Sequence, residues 1–422
     1  MSLFQSSWRS GEAAATPEPA TRSRSGGRDV ALDGLRGLAA FAVVVHHALL
    51  TIPAGWDFVY NAVGSWSGTP LIAPLGVFWA GHEAVLLFFV LSGFVLVARY
   101  GGINGGGYVP YLPQRVLRLF VPYAVVVALS CALLTLWHPP RVPGTSEWFG
   151  RTWSEPVTRR VLADLVWMKL QPAHDIDTSI WSLGVEMRLS LVLPVFAILG
   201  ARLPLWRGVV AAVLLTGVAR YAFSLGGWDS NTLHSLSYAP AFLAGAIMAA
   251  HRNRIAAAAA RLSRPALTLA LAAAVFLYTW RWQFAAWWNP ELVRVLTGRL
   301  WPSPPSRVAG LLSDLMPVAG AVIFIALAIG SAPVRHALER PWAAWLGRVS
   351  FSLYLVHPVV LMVMVHALGP ILPIPLVAAL AVPAAVPVGV AVYRYIERPS
   401  HQLARTTGRW VSTLVARRHA VV

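Results

Sequence analysis

The sequence predicts an all-α polytopic membrane protein with about ten transmembrane helices and both termini in the cytoplasm. Of its 422 residues, 57% are hydrophobic and only 12% are charged, whereas a soluble domain carries about 25% charged residues. Apolar stretches long enough to cross about 30 Å of hydrocarbon recur along the chain, and in lipid such segments form helices. This composition excludes a soluble enzyme, a disordered scaffold and a nucleic-acid reader.

The distribution of basic residues predicts how these stretches cross the membrane. If the N-terminus is cytoplasmic, the three short outside loops, 53–71, 225–232 and 367–371, contain no Arg or Lys, whereas every cytoplasmic segment contains at least two. Cytoplasmic loops of membrane proteins carry an excess of Lys and Arg, and this bias is strongest in short loops. The ten stretches, of which 265–280 is the shortest, cover residues 34–52, 72–98, 119–137, 180–199, 205–224, 233–250, 265–280, 309–330, 349–366 and 372–393.

The chain divides into three regions. Residues 1–32, rich in Ser, Gly, Pro, Ala and Arg, are predicted to be a disordered cytoplasmic tail. Residues 33–397 form the transmembrane domain, and residues 398–422 form a basic cytoplasmic tail. We expect a multi-pass protein of a bacterial cytoplasmic (inner) membrane, in which the net charge of +17 meets anionic headgroups rather than nucleic acid. With a single cysteine there is no Cys-based metal site, and no metal is predicted.

The first predicted helix carries three polar residues at membrane depth. Arg36 and His47 share one helix face, because eleven residues rotate about 20° past three full turns, and they lie about 16 Å apart along the axis. His46 lies about 80° from that face. The structural alternative is a snorkelling Arg and a His bonded to a neighbouring helix. Two deep His beside an aligned Arg favour a functional site with Arg36 at the cytoplasmic mouth and His47 near the midplane.

Two more arginines precede the third helix. Arg115 and Arg118 are three residues apart and share a helix face. Guanidinium groups suit phosphates, and Arg36 opens on the same side of the membrane. The three arginines therefore predict an anion site at the cytoplasmic mouth. The alternative is that Arg115 and Arg118 only fix the topology of the chain.

Two carboxylates are predicted within the membrane. Glu83 lies in the outer third of the second helix and requires a cationic or hydrogen-bonding partner. Glu186 lies about 9 Å below the start of the fourth helix, which places it within roughly 5 Å of His47 in depth. Arg188 is nearly opposite Glu186 on the helix wheel, so we expect it to pair with Glu83 or another acid.

Other polar residues are predicted to be structural. Arg220 and Asp314 both lie near the outer face and are expected to form an ion pair. Ser92 is expected to serve close helix packing. The segment ERPS, residues 397–400, is expected to be structural at the end of the last helix.

These residues leave three functions open. Arginines at a cytoplasmic mouth, with His and Glu at the midplane, suit a phosphate-bearing donor and proton-transfer chemistry inside the bilayer. A proton-coupled transporter or flippase would also use buried His and Glu residues. A structural partner subunit is the third alternative.

Six segments, in order, resemble the acyltransferase-3 family of integral-membrane O-acyltransferases. The resemblance spans residues 31 to about 400. The first segment has the family's Arg, ten residues, then His, and the third has its Arg-x-x-Arg motif before a Pro–Tyr pair. The segments are LDGLRGLAAFAVVVHHA, FFVLSGFVL, RVLR, WSLGVEMRLSLVLP, LGRVSFSLYLVHPVV and YRYIERPS.

The resemblance implies transfer of an acyl group, expected to be acetyl, from acyl-CoA to a hydroxyl. The acceptor is expected to be a carbohydrate or another cell-surface or secreted molecule, and acyl-CoA acts as a co-substrate rather than a permanently bound cofactor. The expected partners are this donor, a hydroxyl-bearing sugar and the lipid bilayer.

Roles for individual residues follow from the resemblance together with the helix geometry. Arg36, Arg115 and Arg118 are expected to bind acyl-CoA. His47 is expected to act as general base, a role for which histidine is suited because an ordinary imidazole exchanges protons near neutrality. Glu186, or with less support Glu83, is expected to orient or charge His47. The expected accessory residues are His46, Trp181, Arg188 and His357.

Overall fold

The computed structural model describes residues 29–60, 72–100, 107–137, 139–225, 230–287 and 307–419. The structure is 86% helical and contains no strand within these ranges, which confirms the all-α fold class. Of the predicted N-terminal tail, residues 1–28 lie outside the described residues, and the first helix begins within the last three positions of that tail. Most of the predicted C-terminal tail is helical.

Every one of the ten predicted apolar stretches contains a helix. We number the long or apolar helices in chain order: α1 Val30–Leu50, α2 Gly81–Tyr100, α3 Tyr108–Trp137, α4 Trp181–Leu191, α5 Leu193–Arg202, α6 Leu205–Phe223, α7 Asn231–Ala250, α8 Arg264–Tyr278, α9 Arg307–Gly330, α10 Pro341–Leu368, α11 Ile374–Val392 and α12 Arg398–His419. Shorter helices are Pro53–Tyr60, Glu147–Arg151, Arg159–Val166, Leu170–Ile176, Arg252–Ala260, Trp280–Trp287 and Ala332–Leu338, with a 3₁₀ turn at Ala73–Phe78 and a π turn at Tyr393–Glu397.

Fewer than ten of these helices are long enough to cross a membrane individually. Within the described residues, eight meet the length and composition of a span: α1, α2, α3, α6, α7, α9, α10 and the continuous run from α11 into α12. The predicted stretch 180–199 is instead two helices, α4 and α5, bent by 62°, which would make a ninth span if they count as one. The stretch 265–280 forms the 15-residue α8, which reaches only about 22 Å.

The bend between α4 and α5 has a specific cause. Pro194 lies in the first turn of α5, and a proline cannot donate the amide hydrogen bond that would continue α4. The carbonyls of Ser190 and Leu191 accept hydrogen bonds from the hydroxyls of Tyr111 and Tyr108 on α3. These tyrosines satisfy backbone acceptors at the break, as a membrane protein must, and they fix α3 against α4.

Glycines allow α1 to pack tightly against α10. A Cβ on Gly37 would collide with the backbone nitrogen of Gly347, and a Cβ on Gly347 would collide with the carbonyl of Asp33. Small residues let membrane helices approach at backbone distance. Ten residues further along each helix, His47 contacts His357, so the two helices run parallel and bring these side chains together.

Candidate functional site

His47 lies beside His357 inside the helix bundle. The Nδ1 atom of His47 is 2.7 Å from Nε2 of His357, and the two ring planes are 19° apart. His357 is 2% exposed, whereas His47 is only half-buried. The indole of Trp148, from the helix Glu147–Arg151, lies 5.1 Å from the His47 ring. His47 is thus held between two rings and keeps part of its surface accessible.

His46 has different neighbours, as the helix wheel predicts. Its Nδ1 is 2.8 Å from the carbonyl oxygen of Trp79, and its Nε2 is 3.3 Å from the hydroxyl of Tyr60. The His46 ring is buried and packs directly on Gly81. These contacts connect α1 to the segments on either side of residues 61–71, and they point away from His357.

The structure pairs Glu186 with Arg115. Oε1 of Glu186 accepts hydrogen bonds from Nη2 of Arg115 and from the hydroxyl of Ser92, each at 2.6 Å. Nε of Arg115 donates to the Ser190 hydroxyl at 3.0 Å, and the Arg115 side chain is 8% exposed. A buried guanidinium requires such a partner. The hydrogen bonds of the described residues therefore join Glu186 to Arg115 and Ser92, and not to His47 as we expected.

Ser92 makes a contact that the sequence did not predict. We expected a packing residue, and this buried side chain also donates its hydroxyl to the carboxylate of Glu186. The sequence contains no spacing signal for this contact, because α2 and α4 are far apart along the chain and meet only through the fold.

Arg36 and Arg118 surround this ion pair and are more accessible than Arg115. The charge of Arg118 interacts with those of Arg36, Arg115, Glu186 and Glu397, so the three predicted arginines share one neighbourhood. Arg118 is exposed and Arg36 is half-buried. Of the three predicted arginines, these two therefore keep the more accessible side chains.

Glu397 closes the same neighbourhood from the π turn after α11. Its Oε2 accepts a hydrogen bond from the Ser352 hydroxyl of α10 at 2.6 Å, and its Oε1 lies 3.7 Å from Nε2 of His401. The carboxylate thereby ties α10 to the start of α12. This is the structural role expected for the segment 397–400.

Glu83 belongs to a second cluster, around His46 rather than His47. Its Oε1 is 3.2 Å from Nη2 of Arg281, while its Oε2 is buried and has no hydrogen-bond partner within the described part of the chain. The Arg281 guanidinium lies over the rings of Tyr60 and Trp282. Sequence reasoning missed Arg281, although its position inside the aromatic segment TWRWQFAAWW could have indicated a cation among rings.

Arg188 and Trp181 lie in a third location. The Arg188 guanidinium donates to the carbonyl of Met168 at 2.6 Å and to the side-chain oxygen of Asn231 at 3.3 Å. The expectation that Arg188 pairs with Glu83 is therefore wrong, because neutral oxygens satisfy it. Trp181 packs against Tyr238 with the ring centroids 5.4 Å apart.

The predicted ion pair between Arg220 and Asp314 is confirmed. Nη1 of Arg220 on α6 is 2.9 Å from Oδ2 of Asp314 on α9, so the pair joins two helices. Among the residues that the structure describes, no group of three or more His, Cys, Asp or Glu side chains is arranged to hold a metal ion.

Asp177 is a buried carboxyl just before α4. Ser179 donates to its Oδ1 from both the backbone nitrogen and the hydroxyl, at 2.9 and 2.8 Å. Burial raises the pKa of Asp177 to about 7, although the hydrogen bonds from Ser179 act in the opposite direction. The carboxyl therefore titrates near neutrality at the beginning of the helix that carries Glu186.

Comparison with known proteins identifies the chain. Residues 29–394 match the acyltransferase-3 family, described as an acyltransferase domain. The O-acetyltransferase PaAT-1 of Phomopsis amygdali is 26% identical over 389 residues, which cover 80% of this chain and 73% of that protein. No solved structure matches the chain. The family match covers most of the sequence and confirms the resemblance seen in its motifs, so the protein belongs to the acyltransferase-3 family and is a membrane O-acyltransferase.

Proposed function

We propose that the protein transfers an acetyl group from acetyl-CoA, which approaches from the cytoplasm, to a hydroxyl of a carbohydrate or another cell-surface or secreted acceptor. The observation that carries this proposal is the pair of accessible arginines, Arg36 of α1 and Arg118 of α3, whose charges interact. Arg36 shares its face of α1 with His47. The printed name of the relative, an O-acetyltransferase, supports acetyl as the acyl group. We place the protein in a bacterial cytoplasmic (inner) membrane. Family membership favours this enzyme over a transporter, a flippase or a partner subunit.

Arg36 and Arg118 bind the phosphates of CoA in this proposal. A guanidinium binds a phosphate through two parallel charge-assisted hydrogen bonds. Arg115 has a different task, because Glu186 and Ser190 already occupy two of its donors. It holds α3 and α4 together beside the phosphates.

His47 acts as the general base. Its imidazole takes the proton of the acceptor hydroxyl while the hydroxyl oxygen attacks the thioester carbonyl. Collapse of the tetrahedral intermediate breaks the carbon–sulfur bond, and the CoA thiolate takes the proton from the His47 imidazolium. The sum of these steps is an acetyl ester and CoA thiol, with His47 returned to its neutral form.

The test is donor binding to the purified protein in detergent, measured by calorimetry with CoA. Arg36→Ala and Arg118→Ala should each weaken binding by about 10- to 100-fold, since a charge-assisted hydrogen bond contributes about 1.5–3 kcal/mol. Lys at either position should restore only part of the affinity.

The matched control is Arg254→Ala, which removes an exposed arginine from the helix Arg252–Ala260. Its affinity for CoA should equal that of the wild type. If the Arg118 and control variants bind CoA equally well, the donor site is not where we propose. Transfer of radiolabelled acetyl groups from acetyl-CoA to a panel of sugars then tests the reaction itself.

A further inference from the structure

The second imidazole of the pair, His357, is held by a feature of its own helix. Pro358 follows it inside α10, and because proline has no amide hydrogen, the carbonyl of Tyr354 has no donor four residues later. Nδ1 of His357 lies 3.2 Å from the carbonyl oxygen of Leu353, and the carbonyl of Tyr354 also interacts with the ring. The imidazole thus occupies a position where the helix backbone presents two acceptors.

Those acceptors determine where the protons of both imidazoles lie. A carbonyl oxygen can only accept, so Nδ1 of His357 carries a hydrogen and Nε2 of the neutral ring carries a lone pair. Nδ1 of His47 is 2.7 Å from that lone pair and must therefore donate. The remaining nitrogen of neutral His47, Nε2, then carries the lone pair that a general base requires.

We propose that His357 is a positioning residue that fixes His47 in the tautomer with hydrogen on Nδ1, so that Nε2 is the basic atom. This inference rests on the proposed function of His47 as the base. When Nε2 takes a proton, the Nδ1–H bond to neutral His357 becomes charge-assisted and stronger. His357 is 2% exposed, so water does not compete with His47 for the lone pair on Nε2 of His357. Trp148 packs against the His47 ring as well and limits its rotation.

Two substitutions separate positioning from packing. In His357→Gln the longer side chain places its amide oxygen near the position of Nε2, where it can accept from His47. In His357→Asn the amide reaches only the position of Nδ1. It can still donate to the helix carbonyls, but it no longer accepts the hydrogen bond from Nδ1 of His47. We expect kcat per folded molecule to fall about 100-fold in the Asn variant and to stay within several-fold of the wild type in the Gln variant, with KM for acetyl-CoA unchanged in both.

The tautomer itself is measured without substrate. Nitrogen-15 NMR of histidine-labelled protein in detergent, with the His47 signals assigned by their loss in His47→Gln, reports which ring nitrogen carries the hydrogen. We expect Nδ1–H in the wild type and in His357→Gln, and loss of that preference in His357→Asn. A wild-type His47 protonated on Nε2, or equal kcat in the Asn variant and the wild type, would overturn the positioning role.

The same experiments distinguish failure of this inference from failure of the proposed function. If the wild type shows Nδ1–H but transfers no acetyl group from acetyl-CoA, the proposed donor chemistry is wrong and the His47–His357 arrangement stands. If acetyl transfer proceeds while His47 carries hydrogen on Nε2, the enzyme is as proposed and His357 is only a packing residue.

Discussion

Two carboxylates inside the bundle each meet an arginine, yet their surroundings differ. Glu83 is 3% exposed, has Arg281 as its one ion-pair partner among the residues that the structure describes, and lies among aromatic rings. Glu186 is 22% exposed, has both Arg115 and Ser92 as partners, and lies near two further arginines that are more accessible. The first pair is enclosed, whereas the second lies at the edge of a cationic surface. Access to a ligand, rather than the presence of a buried ion pair, therefore distinguishes a candidate substrate site from a structural one.

The adjacent histidines of α1 provide the sharpest test of this comparison. His47→Ala should lower acetyl transfer per folded molecule by about 10²- to 10⁴-fold, the usual contribution of a general base. His46→Ala should leave turnover per folded molecule near that of the wild type and lower the thermal stability, because the Trp79 carbonyl and the Tyr60 hydroxyl lose a buried partner. Rates and melting temperatures of the two variants check this, and similar rate losses in both would contradict the assignment of the two faces.

Removing the arginine from each ion pair tests the difference in enclosure. Arg281→Met should destabilise the protein by about 3–5 kcal/mol, since it leaves the buried charge of Glu83 unpaired. Arg115→Met should cost less stability, because Glu186 keeps Ser92 and some contact with water. Donor affinity should fall only in Arg115→Met, because α3 and α4 then lose the contact that holds them together.

Denaturation curves and CoA calorimetry measure both effects. The double substitution Glu83→Gln with Arg281→Met should recover most of the lost stability, because no charge then remains unpaired. Equal loss of donor affinity in Arg281→Met and Arg115→Met would show that the cluster of Glu83 and Arg281 also takes part in donor binding.

The smallest expected effect concerns Asp177, which lies outside both clusters. Its pKa is about 7 in the folded protein, against 3.8 for an ordinary Asp, so the folded state holds a proton that the unfolded state releases. Stability is therefore highest at low pH and is lost as the pH rises toward 7. Relative to the wild type, Asp177→Asn should gain about 1–3 kcal/mol between pH 5 and pH 8. Thermal melts at the two pH values provide the check, and a pH-independent difference would contradict it.

The helices were predictable from sequence, whereas their lateral contacts were not. An apolar run and its flanking arginines define a helix and its depth, which is why all ten predicted stretches contain helices. The predicted depth in the membrane placed Glu186 near His47. Depth alone does not determine which side of α4 faces which neighbouring helix, and the carboxylate pairs with Arg115 instead. Arg188 shows the same limit, since a carbonyl and an amide satisfy it. The contact between Glu83 and Arg281 joins residues far apart in sequence, so helix periodicity alone does not predict it.

The parallel packing of α1 and α10 constrains how the remaining helices can be counted. Gly37 meets Gly347 and His47 meets His357, so both helices enter the bilayer from the same side. An even number of crossings must then separate their starting points. Within the described residues, the unambiguous spans from α1 to α9 already number six, so the bent pair α4–α5 and the short α8 either both traverse the bilayer or both fail to do so. Counted over the described helices alone, parity thus excludes the odd total that the bent pair by itself would give. Membrane insertion of α8 is then a direct test of whether the α4–α5 break lies within a crossing of the bilayer.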